Sequence, residues 1–171
     1  GAYTAISSLP IEKREKGVIA YSSGNHAQGV ALAAKIHEIP ATIIMPEDAP
    51  EIKINNTRDL GAEVILYDRL KESREEIGQK ISEENLLSLI PPYDHIHVIA
   101  GQGTIGLEIA DQANQNGIEK ADVLVCCGGG GLTSGIAVAL SSLMPNFITR
   151  PVEPEGFDDV IRSLKSGEQQ V

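Results

Sequence analysis

The sequence predicts an α/β fold, with open, mostly parallel sheets and flanking helices. Two observations lead there. Short apolar runs closed by Gly, Pro or Ser alternate with segments whose apolar residues recur at helical spacing. The connections are short, as in units where each helix returns the chain to begin a parallel strand. A length of 171 residues and a hydrophobic content of 42% suffice for packed cores.

The first element is "GVIAYS" (17–22), a buried-strand pattern bounded by Gly and Ser. After it, Ala27, Val30, Ala31 and Ala34 fall at i, i+3, i+4 and i+7, one face of a helix. "ATIIMP" (41–46) is a second strand, closed by Pro46. A helix begins near Pro50, which suits a first turn, and stops at Gly61. "AEVILYD" (62–68) is a third strand. Residues 70–84, rich in Glu, Lys and Arg, read as a solvated helix with Leu70, Ile77 and Ile81 as a sparse apolar stripe. "PPYDH" (91–95) is the strongest break and marks a domain crossover. "IHVIAG" (96–101) reads as a short extended run, before a helix from about Thr104 to Asn116 stopped by Gly117. "ADVLVCCG" (121–128) is a buried strand, the glycines 128–131 open a helix through Leu143, and "FITRPVE" (147–153) is strand-like.

Composition excludes several function classes. There are 14 basic against 24 acidic residues, a formal net charge of −10. A surface for nucleic acid or anionic membrane wants the opposite sign, so neither partner is expected. No apolar run approaches the roughly 20 residues needed to cross a bilayer, and Gly1-Ala2-Tyr3 shows no signal-peptide pattern. Cys126 and Cys127 are neighbours, and a mutual disulfide would be strained and close no loop. The chain reads as a reducing, cytoplasmic protein.

Two unusual stretches each follow an apolar strand and open a helix, at the strand ends where open α/β sheets bind ligands. In "VLVCCGGGGLTSGIA" four consecutive glycines, Gly128 to Gly131, precede a helix. Without Cβ atoms the backbone can approach a ligand closely, and its N–H groups with those of the helix start make a phosphate cradle. A turn needs one or two glycines; four cost entropy, which favours anion binding. A nucleotide P-loop in its usual form is excluded, because no Gly-Lys-Ser/Thr follows. A dinucleotide-binding Rossmann module stays open: Gly129-x-Gly131-x-x-Ser134 follows a strand, and Glu153 comes roughly 20 residues later.

The other stretch is "SSGNHAQG" (22–29). A Rossmann module has no evident use for it, whereas an enzyme that binds an amino-acid carboxylate does. Serine hydroxyls and the first helical N–H groups suit that anion. Asn25 brings an amide able to bond a cofactor oxygen. A plain N-cap accounts for Ser23 or Asn25 and leaves the other polar residues unexplained.

With "SSGNHAQGVALAA", "VIAGQGTIGLEI", "CGGGGLTSGIA" and "VEPEGFDD" in view, the chain resembles the fold type II pyridoxal-phosphate enzymes. It is most similar to the branch of threonine/serine dehydratases, serine racemases and hydroxyaspartate dehydratases, from Gly1 to about Asp159. The resemblance implies two domains of the tryptophan synthase beta-like architecture. Residues 17–93 would form a small α/β domain, and 1–16 with 94–171 part of the large cofactor-binding domain. It implies pyridoxal 5'-phosphate as cofactor, its phosphate on Gly128, Gly129, Gly130, Gly131 and the Leu132 N–H, its phenolic oxygen on Asn25. Ser22, Ser23, Asn25 and His26 would line the substrate carboxylate site.

The family's cofactor-bonding lysine lies in a Ser-x-Lys-x-Arg-Gly-Ala segment, whose end matches Gly1-Ala2. The chain therefore reads as an internal piece of an enzyme of roughly 300 residues. Lys13, Lys16, Lys35 and Lys53 do not match that motif. The activity implied is a lyase that converts a β-hydroxy amino acid (threonine, serine or 3-hydroxyaspartate) to a 2-oxo acid and ammonia. Racemisation is the alternative within the family and needs an acid/base on the opposite ring face, where the resemblance places Ser23. The resemblance matches Arg74, in "KESREE", to a position that reaches the substrate pocket and suits a distal carboxylate; from the residues alone, an Arg beside Glu75 and Glu76 reads first as a solvated helix face. Tyr93 is placed near the pocket by the crossover. Glu153, the Phe157 carbonyl and Asp159 match the divalent-cation site of the racemase branch, whose oxygen donors suit Mg²⁺ or Ca²⁺. The family also implies a homo-oligomer, dimer or tetramer. His95 and His97 would share one strand face without a third ligand beyond Asp94, and read as ordinary histidines. His37, near a helix end, is accounted for by the helix dipole.

Overall fold

A computed structural model describes residues 1–170; Val171, the last residue of the expected large-domain segment, lies outside the described residues. The chain divides into two compact units, Gly1–Pro92 and a second that begins at Tyr93.

The first unit runs α1 (Ala2–Ser7), α2 (Ile11–Arg14), β1 (Val18–Tyr21), α3 (Asn25–Ile36), β2 (Ala41–Pro46), α4 (Glu51–Asp59), β3 (Glu63–Tyr67), α5 (Arg74–Asn85) and β4 (Ser88–Leu89). Its sheet has the order β3-β2-β1-β4, and every pair is parallel. The register Val18↔Ala41 through Tyr21↔Ile44 brings the carboxyl ends of β1 and β2 to one edge, where α3 begins. Strand β2 is buried along its whole length, as expected of a parallel strand covered on both faces. On one face Ile19, Ile44 and Tyr67 form a core that receives Ile77 and Ile81 from α5.

Two expectations need correction here. Leu70 belongs to no helical stripe: it precedes α5 and is 90% exposed. The Asp68 carboxylate accepts the Leu70 N–H at 2.9 Å, a local turn that competes with helix, and the helix waits for Ser73, whose Oγ accepts the Glu76 N–H. His37 is held by more than a dipole. It stacks on Tyr3 of α1, with ring centroids 5.1 Å apart, and its Nε2 lies 2.9 Å from Ser7 Oγ.

The second unit runs α6 (Ile96–Gln115), β5 (Ala121–Cys126), α7 (Gly131–Leu143), β6 (Phe147–Val152) and α8 (Asp159–Ser166). β5 and β6 are parallel, with Ala121↔Phe147 and Cys126↔Val152 in register. Ala110, Val125, Ile136, Leu140 and Phe147 form the core. "IHVIAG" is helical, contrary to the extended reading: α6 begins at Ile96, and Val98, Gly101, Gly106, Ala110 and Ala113 make one buried face. A short apolar run cannot be told from a helix start by period alone, and packing against α7 decides it. Strand β5, expected to be buried, alternates instead, as does β6: Leu124, Ile148 and Val152 are exposed. Among the described residues, one face of this two-stranded sheet is exposed.

Helices α6 and α7 touch backbone to backbone. A Cβ on Gly135 would stand 2.4 Å from the Ile99 carbonyl oxygen and 2.7 Å from the Gly103 nitrogen. One on Gly106 would stand 2.7 Å from Ala139 Cβ. That close contact fixes the start of α7, and the glycine loop leads directly into it.

Candidate active site

In the first unit the loop after β1 is tied into the sheet: Ser22 N donates to Ile44 O at 3.1 Å, and Ser22 Oγ accepts the Gly24 N–H at 3.2 Å. Gly24 is the N-cap of α3 and offers no side chain, so Asn25, the first helical residue, projects an exposed amide beside unpaired helix-start N–H groups. Ser23 is exposed. The Lys53 ammonium nitrogen lies 3.4 Å from the point where a Cβ on Gly24 would stand. A cation thus borders the loop that was expected to hold a carboxylate, a contribution from α4 that sequence spacing gave no signal of.

His26 turns inward. Its Nε2 lies 2.9 Å from the Ile90 carbonyl oxygen, which makes that nitrogen the donor and joins the start of α3 to the chain after β4. Burial lowers its pKa from 6.5, against the opposing pull of the Ile90 carbonyl. The folded state then binds fewer protons than the unfolded chain, so His26 contributes stability above about pH 6.5 that is lost as pH falls toward its depressed value. Urea unfolding of the wild type should show this loss between about pH 7.5 and 5, and His26→Gln should flatten that part of the profile.

Ser22, Ser23, Tyr67, Arg69 and Arg74 border one small cavity of about 60 Å³. Arg74 lies over the Tyr21 ring, its guanidinium carbon 5.3 Å from the centroid, and its Nε reaches Glu75 Oε1 at 2.7 Å. That hydrogen bond holds the Glu75 carboxyl below its usual range. Arg74 thus pairs with Glu75 on the helix surface and borders the same cavity as Ser22 and Ser23.

In the second unit Cys127 N donates to Val152 O at 2.8 Å, extending the ladder one residue beyond β5. Both cysteines are free thiols. Thr133 Oγ1 reaches the Cys126 carbonyl, which clamps the first turn of α7 to the strand end. Between them lies the glycine loop. Gly130 caps α7 with φ +79°, a left-handed conformation that favours glycine. A Cβ on Gly128 would meet nothing within 4 Å, whereas one on Gly129 would enter the Tyr93 ring. Each glycine thus has its own reason: open space at 128, an aromatic ring at 129, backbone handedness at 130. Leu132 sits in the first turn of α7, whose leading N–H groups have no intrahelical acceptor. Gly128, Gly129 and Tyr93 border an open groove of about 980 Å³ that extends to Asp159 and Ser163. These residues fit a phosphate monoester.

Glu153 follows β6 and turns back to α8: Oε1 accepts the Val160 N–H at 3.0 Å and Oε2 the Ile161 N–H at 2.9 Å. Asp159 is half-buried at the helix start, and Phe157 is exposed. Among the described residues no three His, Cys, Asp or Glu side chains gather as a metal cluster. His95 and His97, expected on one strand face, stand instead at the N-cap and in the first turn of α6, with rings tilted and 5.6 Å apart.

The family described as pyridoxal-phosphate dependent enzyme matches residues 1–171. The chain is 51% identical over 168 residues to an L-threo-3-hydroxyaspartate ammonia-lyase of Saccharomyces cerevisiae, covering 98% of this chain and 50% of the relative. It is 49% identical over 168 residues to a serine racemase of Schizosaccharomyces pombe, again covering 98% and 50%. The solved structure of a processed threonine deaminase isoform 2 from Solanum lycopersicum superposes with a TM-score of 0.88 at 40% identity, over 99% of this chain and 48% of that one. The chain spans about half the length of these relatives. The match over the whole chain decides between the two readings that the glycine spacing left open, against the nucleotide module.

Proposed function

The chain belongs to the pyridoxal-phosphate dependent enzymes, and on that premise we propose that the protein carrying it is an ammonia-lyase. Its substrate is a β-hydroxy amino acid, and its products are a 2-oxo acid and ammonia. The observation that carries the reading is the Gly128–Leu132 cradle, open at Gly128 and backed by the N-terminus of α7. Relatives named for hydroxyaspartate and threonine elimination support it.

Bound pyridoxal phosphate supplies an electron sink that lowers the cost of removing a proton from Cα. The residues of this chain bind and orient. Backbone amides at 128–132 hold the phosphoryl oxygens, and the left-handed Gly130 makes the turn into α7. Asn25 holds the ring's phenolic oxygen with its exposed amide. Ser22 and Ser23 meet the substrate carboxylate with hydroxyls, and Lys53 adds a nearby positive charge. His26 keeps that loop in place through Ile90.

The test is product analysis. The full-length protein, given L-serine, L-threonine or L-threo-3-hydroxyaspartate, should release 2-oxo acid and ammonia in equal amounts and in excess of any D-amino acid. D-serine as the main product from L-serine would favour the racemase reading instead. That second reading rests on Ser23, whose exposed hydroxyl is available as an acid/base.

We further assign a divalent cation to Glu153, the Phe157 carbonyl and Asp159, oxygen donors suited to Mg²⁺. Glu153 already anchors α8, so the ion would tighten the same segment. Chelation should lower the melting temperature of the full-length protein, millimolar Mg²⁺ should restore it, and Asp159→Asn should abolish the difference. The protein is further proposed to be a cytoplasmic homo-oligomer; among the described residues no helix is long and apolar enough to cross a membrane.

A further inference from the structure

We propose that Arg69, paired with Asp48, is a second carboxylate-recognising cation in the Ser22–Ser23 cavity and selects substrates that carry a distal carboxylate. The inference rests on the proposed lyase reading and deepens it by naming the substrate class.

The cavity beside Ser22 and Ser23 has a volume of about 60 Å³. Its polar border holds two hydroxyls, the Tyr67 ring and two guanidinium side chains, Arg69 and Arg74. Two cations at so small a space suit an anion and repel an ammonium, and an apolar side chain there would strip them of water. Planar guanidinium forks are matched to carboxylate oxygens.

The two arginines differ in their anchoring. Arg74 is tied to Glu75 and to the Tyr21 ring, which fixes its place in the wall. Arg69 stands in the loop after β3, where its Nη2 meets Asp48 Oδ1 at 2.7 Å, and both side chains are at least half exposed. An exposed pair of this kind contributes little, so it can be exchanged for a substrate carboxylate at small cost. Asp48 thus parks Arg69 at the cavity rim, and a dicarboxylate competes for it.

The experiment compares the full-length holoenzyme with Arg69→Gln, Arg69→Lys and Asp48→Asn, using L-threo-3-hydroxyaspartate, L-serine and L-threonine. Arg69→Gln should lower kcat/KM for the dicarboxylate about 10- to 100-fold, chiefly through KM, as expected for one lost charge-assisted hydrogen bond. L-serine and L-threonine should change by less than about threefold. Arg69→Lys should recover part of the loss, and Asp48→Asn should improve the dicarboxylate about twofold to fivefold. Equal losses on all three substrates, or none on any, would overturn the proposal.

Binding gives a second readout, independent of turnover. Succinate should stabilise the wild type against heat more than butyrate does, and Arg69→Gln should erase that difference. If the wild type releases 2-oxo acid from none of the three substrates, the lyase reading falls and the succinate comparison alone decides the role of Arg69. No preference for succinate there would overturn it.

Discussion

Replacing Gly135 with alanine should cost about 3 kcal/mol, the upper end for overpacking in a tight interior. The added methyl would stand 2.4 Å from the Ile99 carbonyl oxygen and 2.7 Å from the Gly103 nitrogen, and both are backbone atoms of α6. A side chain could rotate away; a helix backbone must move as a body. The shift would pass along α7 to the loop at its start, so cofactor binding should weaken with stability. Urea unfolding of the full-length protein, with and without pyridoxal phosphate, measures both. Gly128→Ala is the control for glycine entropy: its Cβ meets nothing within 4 Å, and unfolding in the absence of cofactor should shift by less than about 0.5 kcal/mol.

Gly128→Val should separate binding from folding. The space in front of Gly128 is open, so a larger side chain costs the fold little and fills the place assigned to a phosphoryl oxygen. Losing two charge-assisted hydrogen bonds at 1.5–3 kcal/mol each corresponds to about 100-fold or more in affinity for pyridoxal phosphate. Titration of cofactor-free protein, followed by absorbance, reads the change directly. A melting temperature within a few degrees of wild type would show that the loss is local.

Much of this was legible in the sequence, for physical reasons that differ by element. Helix α3 was plain because Ala27, Val30, Ala31 and Ala34 lie on one face, and all four are buried. β1, β2 and β3 were plain because a short apolar run bounded by Gly, Ser, Pro or Asp has few other uses. The glycine loop was legible because four glycines exceed what a turn requires. Two kinds of feature were not. Short elements such as the two-residue β4 carry no period, and the start of α6 was masked by β-branched residues that a helix contact overrides. Residues that meet only through tertiary structure left no spacing to read: Lys53 beside Gly24, and Arg69 beside the serine loop. Gly135 was hidden in another way, since a glycine inside a helix reads as a weakness until the neighbouring backbone is seen.

The most direct measurement is a crystal structure of the full-length protein grown with pyridoxal phosphate. Density for the phosphoryl group should lie within hydrogen-bond distance of the amides between Gly128 and Leu132, with the Asn25 amide on the ring's phenolic oxygen. A cofactor bound elsewhere, or a phosphoryl group that leaves those amides to water, would contradict the account.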